Sequence, residues 1–298
     1  MNLDTAYDTE PAGPDPGAGR AGSTPAVALT VAGSDSGGGA GIQTDLVTFA
    51  ALGVHGASVI TALTAQNTRG VAGVHVPPVE FLRAQLDAVL ADLPVAAAKT
   101  GMLATEAVVV AVAEEAAKGR LPQLVVDPVL VSSTGARLLD DGAESAYVEL
   151  LLPHALVSTP NTREAAALLG RPVETVDDAR TAARDIARLG PRWVVVKGGH
   201  LAATGDLGEE VAVDVVHDAA TGKTTELRLP RIATRNDHGT GCTFAAATVA
   251  LLARGVAVPE ALAGAKAFVH GGLLTSSTWE LGGGHGPVGK LPAWTPAL

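Results

Sequence analysis

The chain has 298 residues, of which 47% are hydrophobic and only 3% aromatic, with 35 glycines, one cysteine and a net charge of −10. That charge argues against nucleic acid or an anionic membrane surface as a partner, since both attract basic proteins. A single cysteine excludes an intrachain disulfide framework and a cysteine-based zinc site, and no apolar run reaches the roughly 20 residues needed to span a bilayer.

Residues 1–25 are rich in Pro, Gly, Asp and Thr and have almost nothing to bury, so they are expected to form a disordered tail. Their acidic, Pro/Gly-rich start does not read as a signal peptide, and a cytoplasmic enzyme is the expectation. From residue 26 strands and helices alternate, and 26–298 is expected to form one domain. The run Ala26–Ala32 reads as a strand, and the glycine loop Gly33–Gly41 follows it. Ile42, Leu46 and Phe49 then recur at helical spacing, with Asp45 expected on that helix's first turn. Further strands are expected at Ala57–Ala62, Val95–Lys99, Leu124–Asp127, Ala155–Ser158 and Trp193–Lys197. Helices are expected at Val79–Leu93, Glu106–Lys118, Thr162–Leu169 and Val176–Leu189. Val211–Val216 and Thr224–Leu229 flank a turn and suggest an antiparallel hairpin. The helices Gly241–Arg254 and Pro259–Thr275 close the fold.

Small aliphatic residues and strand–helix alternation point to a mostly parallel sheet covered on both faces. Ligands of such sheets bind at the carboxyl ends of the strands, and polar residues gather there. Asp35 and the glycines follow the first strand, and Gln66-Asn67 follow the second. An amide both donates and accepts, so Gln66 is equipped to read a heterocycle, or else simply caps a loop. Met102 could supply an adaptable apolar wall, or be ordinary core.

Asp127 and Glu164 end strands on the same side, and such a pair suits Mg²⁺, which needs only one or two carboxylates besides substrate phosphates. Glu164 also reads as a surface residue on a first helical turn. Lys197, after a buried strand, either carries a cation into the site or snorkels. The strongest local signal is Asp237-His-Gly-Thr-Gly-Cys-Thr243, a glycine turn opening an apolar helix. Free N–H groups and the helix dipole there favour an anion. Cys242 on that first turn is expected to be a thiol of lowered pKa; the competing reading is a buried, inert cysteine. His238 has no evident partner and reads as structural. Neither G-x-G-x-x-G nor G-x-x-x-x-G-K-[ST] is present, since Ile42 and His217 stand where glycines are required. A Rossmann oxidoreductase or a P-loop enzyme is therefore disfavoured.

Seven segments in register carry a resemblance: Ala32–Asp45, Val59–Gly70, Lys99–Leu103, Val126–Val129, Thr159–Ala166, Val196–His200 and Asn236–Thr243. Together, over about Ala26 to Trp294, the chain resembles the hydroxymethylpyrimidine/phosphomethylpyrimidine kinases of thiamine biosynthesis, members of the ribokinase-like superfamily. The resemblance implies an α/β three-layer sandwich, with a central mostly parallel sheet and helices on both faces. It implies ATP and Mg²⁺ as cofactors and 4-amino-5-hydroxymethyl-2-methylpyrimidine as substrate, phosphorylated first to the monophosphate and then to the diphosphate. Motif matching assigns Gly33, Asp45, Gln66, Met102, Val129 and Cys242 to the pyrimidine. It assigns Asn161, Glu164 and Lys197 to ATP and Mg²⁺ contacts, and Gly239, Thr240, Gly241 and Cys242 to an anion hole; Lys266 is further expected at ATP, and Asp127 with Glu164 at the metal. Many ribokinase relatives carry an aspartate base where this chain has Cys242. The first glycine loop departs from the family in having Ser36-Gly37 where Pro-Ser is common. A homodimer is expected. Cysteine-type pyridoxal kinases share this architecture, so vitamin B6 phosphorylation is the second reading. A catalytically silent metabolite-binding regulator is the third, which the intact phosphate loop, Glu164 and Lys197 disfavour.

Overall fold

The computed structural model describes residues 24–130, 142–199, 201 and 210–290, so the expected N-terminal tail lies almost wholly outside the described residues, as do His200 and Trp294. Among the described residues nine strands form one sheet in the order β3-β2-β1-β4-β5-β6-β7-β8-β9. They are β1 (Val27–Asp35), β2 (His55–Asn67), β3 (Gly70–His75), β4 (Val95–Thr100), β5 (Val125–Val126), β6 (Val157–Ser158), β7 (Trp193–Gly198), β8 (Val211–Asp218) and β9 (Thr224–Pro230). The run from β2 to β7 is parallel. β3 at one edge and β8–β9 at the other pair antiparallel.

The central strands are short apolar runs because both of their faces are covered. Neighbouring residues therefore serve opposite cores: Ala98 and Val126 pack on one face, Ala97 and Val125 on the other. The first face carries α2 (Val79–Asp92), α3 (Glu106–Ala117) and the short α4 (Ala143–Ala146). A separate cluster under α5 (Thr162–Leu169) and α6 (Val176–Ala187) continues that layer. The second face carries α1 (Gly41–Ala51), α7 (Thr240–Ala253) and α8 (Val258–Ser276). Helix α7 lies at the centre of its layer, with Thr243–Ala250 and Leu252 all buried.

Two expectations need correction. β3 has no counterpart in the sequence reading: its GVAGVH run has two glycines and no buried residue, so it has the signature of a turn and forms only along the overhanging end of β2. Asp45 stands one turn deeper in α1 than expected, and no acidic residue occupies the first turn.

Candidate active site

A cavity of about 720 Å³ opens along the carboxyl ends of the parallel strands. Its floor is set by contact between two glycine loops. Gly239, the N-cap of α7, has φ 81°. A Cβ there would stand 1.9 Å from the carbonyl oxygen of Gly39. Gly41, at φ 58°, would place a Cβ 2.4 Å from the carbonyl oxygen of Gly33. Only glycine satisfies both the left-handed backbone and the close approach. The first turn of α7 thus abuts the loop after β1; its Thr240 N–H is taken by the Asp237 carbonyl at 3.2 Å, and those of Gly241 and Cys242 are available to an anion.

Asp35, the last residue of β1, ties its loop together. Its carboxylate accepts from Gly37 N at 2.8 Å, Gly39 N at 3.2 Å and Ala40 N at 2.9 Å. His238 Nε2 reaches the same carboxylate at 3.0 Å. Burial pushes the Asp35 carboxyl up, but His238 and the backbone donors outweigh it and hold it below the usual range. His238 therefore has a partner that the sequence did not reveal, because the two residues lie 203 positions apart.

Lys197 and Asp127 meet at 2.8 Å beside the helix terminus, and Asp127 also accepts from Thr159 Oγ1 at 2.9 Å. A Cβ on Gly241 would stand 3.0 Å from Lys197 Nζ and 4.0 Å from Asp127 Oδ2, so the glycine lets this pair approach the anion loop. Burial raises the Asp127 carboxyl, yet Lys197 and Lys99 outweigh that effect and hold it low. Glu164 is pushed up to about 8, by burial first and by the nearby Asp127 charge, with Lys197 opposing. Asn161 caps α5, accepting from Arg163 N and Glu164 N at 2.9 Å, while Glu164 Oε2 accepts from Asn161 N at 2.7 Å. That reciprocal capping box fixes Glu164 at the cavity wall.

Among the described residues no cluster of three or more His, Cys, Asp or Glu side chains could hold a metal by itself. The donors present fit magnesium nonetheless. Asp127 and Glu164 are two carboxylates on one cavity, and each has an oxygen outside the hydrogen bonds described above. Mg²⁺ is commonly held by one or two carboxylates together with waters and substrate phosphates.

All but one of the residues proposed from the sequence line this cavity: Gly33, Gln66, Met102, Val129, Asp127, Asn161, Glu164, Lys197, Lys266 and the loop Gly239–Cys242. Asp45 is the exception. It is fully buried and does not line the cavity, because its carboxylate is bound to Lys99 at 2.9 Å and to Thr30 Oγ1 at 2.6 Å. Lys99 itself lines the cavity, with Asp45 paired to it from behind. Lys99 went unassigned in sequence because a lysine inside an apolar strand gives no sign of its partner, 54 residues earlier.

Cys242 corrects the expectation of a lowered thiol pKa. Burial pushes it up to about 11, outweighing Lys99 and a hydrogen bond from the Gly41 N–H. Desolvation of the thiolate exceeds what a helix terminus supplies. Lys266 faces the cavity from α8, paired with Asp214 at 2.8 Å.

A family model described as phosphomethylpyrimidine kinase matches residues 35–289. The hydroxymethylpyrimidine/phosphomethylpyrimidine kinase of Rhizobium meliloti is 50% identical over 274 residues, covering 90% of this chain and 98% of that protein. A thiamine biosynthesis bifunctional protein of Geobacter sulfurreducens is 49% identical over 265 residues, and this chain spans 52% of its length. Among solved structures, an ADP complex of Bacillus subtilis pyridoxal kinase superimposes with a TM-score of 0.80 at 36% identity, over 90% of this chain and 98% of that one.

Proposed function

This chain belongs to the phosphomethylpyrimidine kinase family, and from that premise we propose that it transfers phosphoryl groups from ATP to 4-amino-5-hydroxymethyl-2-methylpyrimidine and then to its monophosphate. The observation that carries this reading is the glycine-built helix terminus of α7 with Lys197 and Asp127 beside it, in a cavity shared with Gln66 and Met102. Such a terminus receives phosphate through backbone N–H groups and the helix dipole.

The residues take the following roles in the proposal. Gln66 reads the polar edge of the ring, while Gly33, Met102 and Val129 line its faces; a Cβ on Gly33 would come 3.3 Å from Met102 Sδ, so the glycine keeps that wall thin. Asn161 and Lys266 contact the nucleotide. Lys197 is held protonated, since its carboxylate neighbours outweigh burial, and it carries positive charge to the transferred group. In the loop Gly239–Cys242 the N–H groups of Gly239, Gly241 and Cys242 stabilise charge developing on that group, the Thr240 N–H being held by the Asp237 carbonyl. Mg²⁺, held by Asp127 and Glu164, would neutralise phosphate charge in the same region. Cys242 stays a neutral thiol at the wall. Because phosphoryl transfer runs through a loose transition state, the hydroxyl proton can leave late, and positioning does most of the catalysis.

A cytoplasmic homodimer belongs to the same proposal. Large apolar side chains at Leu63, Val74 and Phe81 are exposed, and no helix among the described residues is long and apolar enough to cross a membrane. One observation favours a second reading, pyridoxal phosphorylation: a pyridoxal kinase superimposes closely on this chain. Higher identity to the pyrimidine kinases supports the first. Incubation with the pyrimidine and Mg·ATP, followed by product mass, is expected to show one and then two added phosphoryl groups. Turnover of pyridoxal alone would replace this reading with the second.

A further inference from the structure

The contacts around Gln66 define the sense of its amide. His238 Nε2 lies 3.0 Å from an Asp35 carboxylate that also accepts three backbone N–H groups. An ionised carboxylate can only accept, so Nε2 carries a hydrogen in whichever form the ring takes. The same Nε2 lies 3.3 Å from the nitrogen end of the Gln66 amide, where donor meets donor. The oxygen end of that amide stands 3.2 Å from Thr64 Oγ1, whose single hydrogen has a nearer acceptor in the Ser34 carbonyl at 2.9 Å. There acceptor meets acceptor.

A half-turn about the last torsion of Gln66 exchanges the two ends of the amide and repairs both contacts at once. The amide oxygen then shares the single His238 Nε2 hydrogen with Asp35 in a three-centre bond, and the NH₂ group donates to Thr64 Oγ1. We infer that His238 and Thr64 together fix the Gln66 amide in this sense, which makes His238 a positioning residue for substrate specificity. The inference rests on the reading of Gln66 as the group that meets the pyrimidine.

Its consequence is directional. One N–H and one lone pair of the amide remain for the ligand, in a fixed order along the cavity wall. A ring amine beside a ring nitrogen is the complementary pair, donor next to acceptor, and it matches that order in only one orientation. The hydroxymethyl group neighbours the amine on the ring, so reading the amine also aims the hydroxymethyl. A pyridine bearing a hydroxyl in place of the amine lacks this donor pattern. An amide free to turn would accept the ring either way round.

The experiment compares the aminopyrimidine with its analogue lacking the amine, in the unaltered protein and in His238→Leu, His238→Gln and Thr64→Val. The unaltered protein is expected to favour the amine-bearing substrate by at least about 100-fold in kcat/KM, as sites built to hydrogen-bond a polar group do. His238→Leu and Thr64→Val should each shrink that preference at least about tenfold, chiefly through KM for the pyrimidine. KM for ATP should hold. His238→Gln, whose amide N–H can serve Asp35 and Gln66, should recover most of the preference. Thr64→Val keeps the test open if the His238 variants fold poorly, since it lies on β2 away from α7. Full preference retained in both His238→Leu and Thr64→Val, with only kcat reduced, would overturn the inference. An unaltered protein that turns over no aminopyrimidine would instead overturn the reading of function beneath it.

Discussion

A thiol pushed up to about 11 is protonated at neutral pH, and a protonated thiol neither attacks nor abstracts a proton. Iodoacetamide should therefore label Cys242 slowly at pH 7, with the rate rising about tenfold per pH unit as the thiolate fraction grows. Rapid stoichiometric labelling at pH 7 would contradict the assignment of a neutral wall residue. Glu164 gives the second residue-scale prediction. Its folded pKa, about 8, lies above the 4.5 of a free carboxyl, so between those values the folded state binds more protons and stability falls as pH rises. Glu164→Gln should remove that loss: in the metal-free protein its thermal midpoint at pH 8 should equal or exceed that of the unaltered chain. Metal binding must displace the proton, so Mg²⁺ affinity, followed by titration with a non-hydrolysable ATP analogue, should climb by up to about tenfold per pH unit from 6 to 8. A flat profile would show that Glu164 does not hold the metal. At this scale the sequence revealed residue types at strand ends but not their partners. Gln66, Lys197 and Glu164 could be singled out, whereas the Asp35–His238 and Asp45–Lys99 pairs could not, because separations of 203 and 54 residues leave no local trace.

Local physics decided which elements could be read. Helix α5 begins and ends where the sequence reading put it, since Asn161 and Glu164 form a capping box and Gly170 closes the helix in a left-handed turn. β5 and β6 shrink to two residues each, with Pro128 and Pro160 shortly beyond their ends. β3 was illegible because its strand state comes from the edge of β2 and not from its own apolar pattern. The element that most concerns function is the start of α7. Gly239→Ala combines a left-handed backbone with a Cβ 1.9 Å from the Gly39 carbonyl oxygen. It should cost about 1–3 kcal/mol from the backbone alone and lower turnover by at least about tenfold as the two loops separate. Gly255→Ala serves as control, because Gly255 also has a positive φ of 80° but nothing within 4 Å of an added Cβ. It should lose some stability and keep its rate. Equal rates in the two variants would show that loop contact does not set the site.

Across the whole molecule, the parallel strands bring Asp35, Gln66, Met102, Asp127, Asn161 and Lys197 to one edge of the sheet from segments far apart in the chain. That convergence was legible from strand–helix alternation alone, because the carboxyl ends of parallel strands share one side. Substrate choice was not, since a pyridoxal kinase and a phosphomethylpyrimidine kinase both superimpose on this fold. The discriminating measurement is kcat/KM for the aminopyrimidine and for pyridoxal on the same preparation, with saturating Mg·ATP. The aminopyrimidine is expected to be preferred by at least about 100-fold, with its monophosphate converted onward to the diphosphate. Equal or greater turnover of pyridoxal would contradict it.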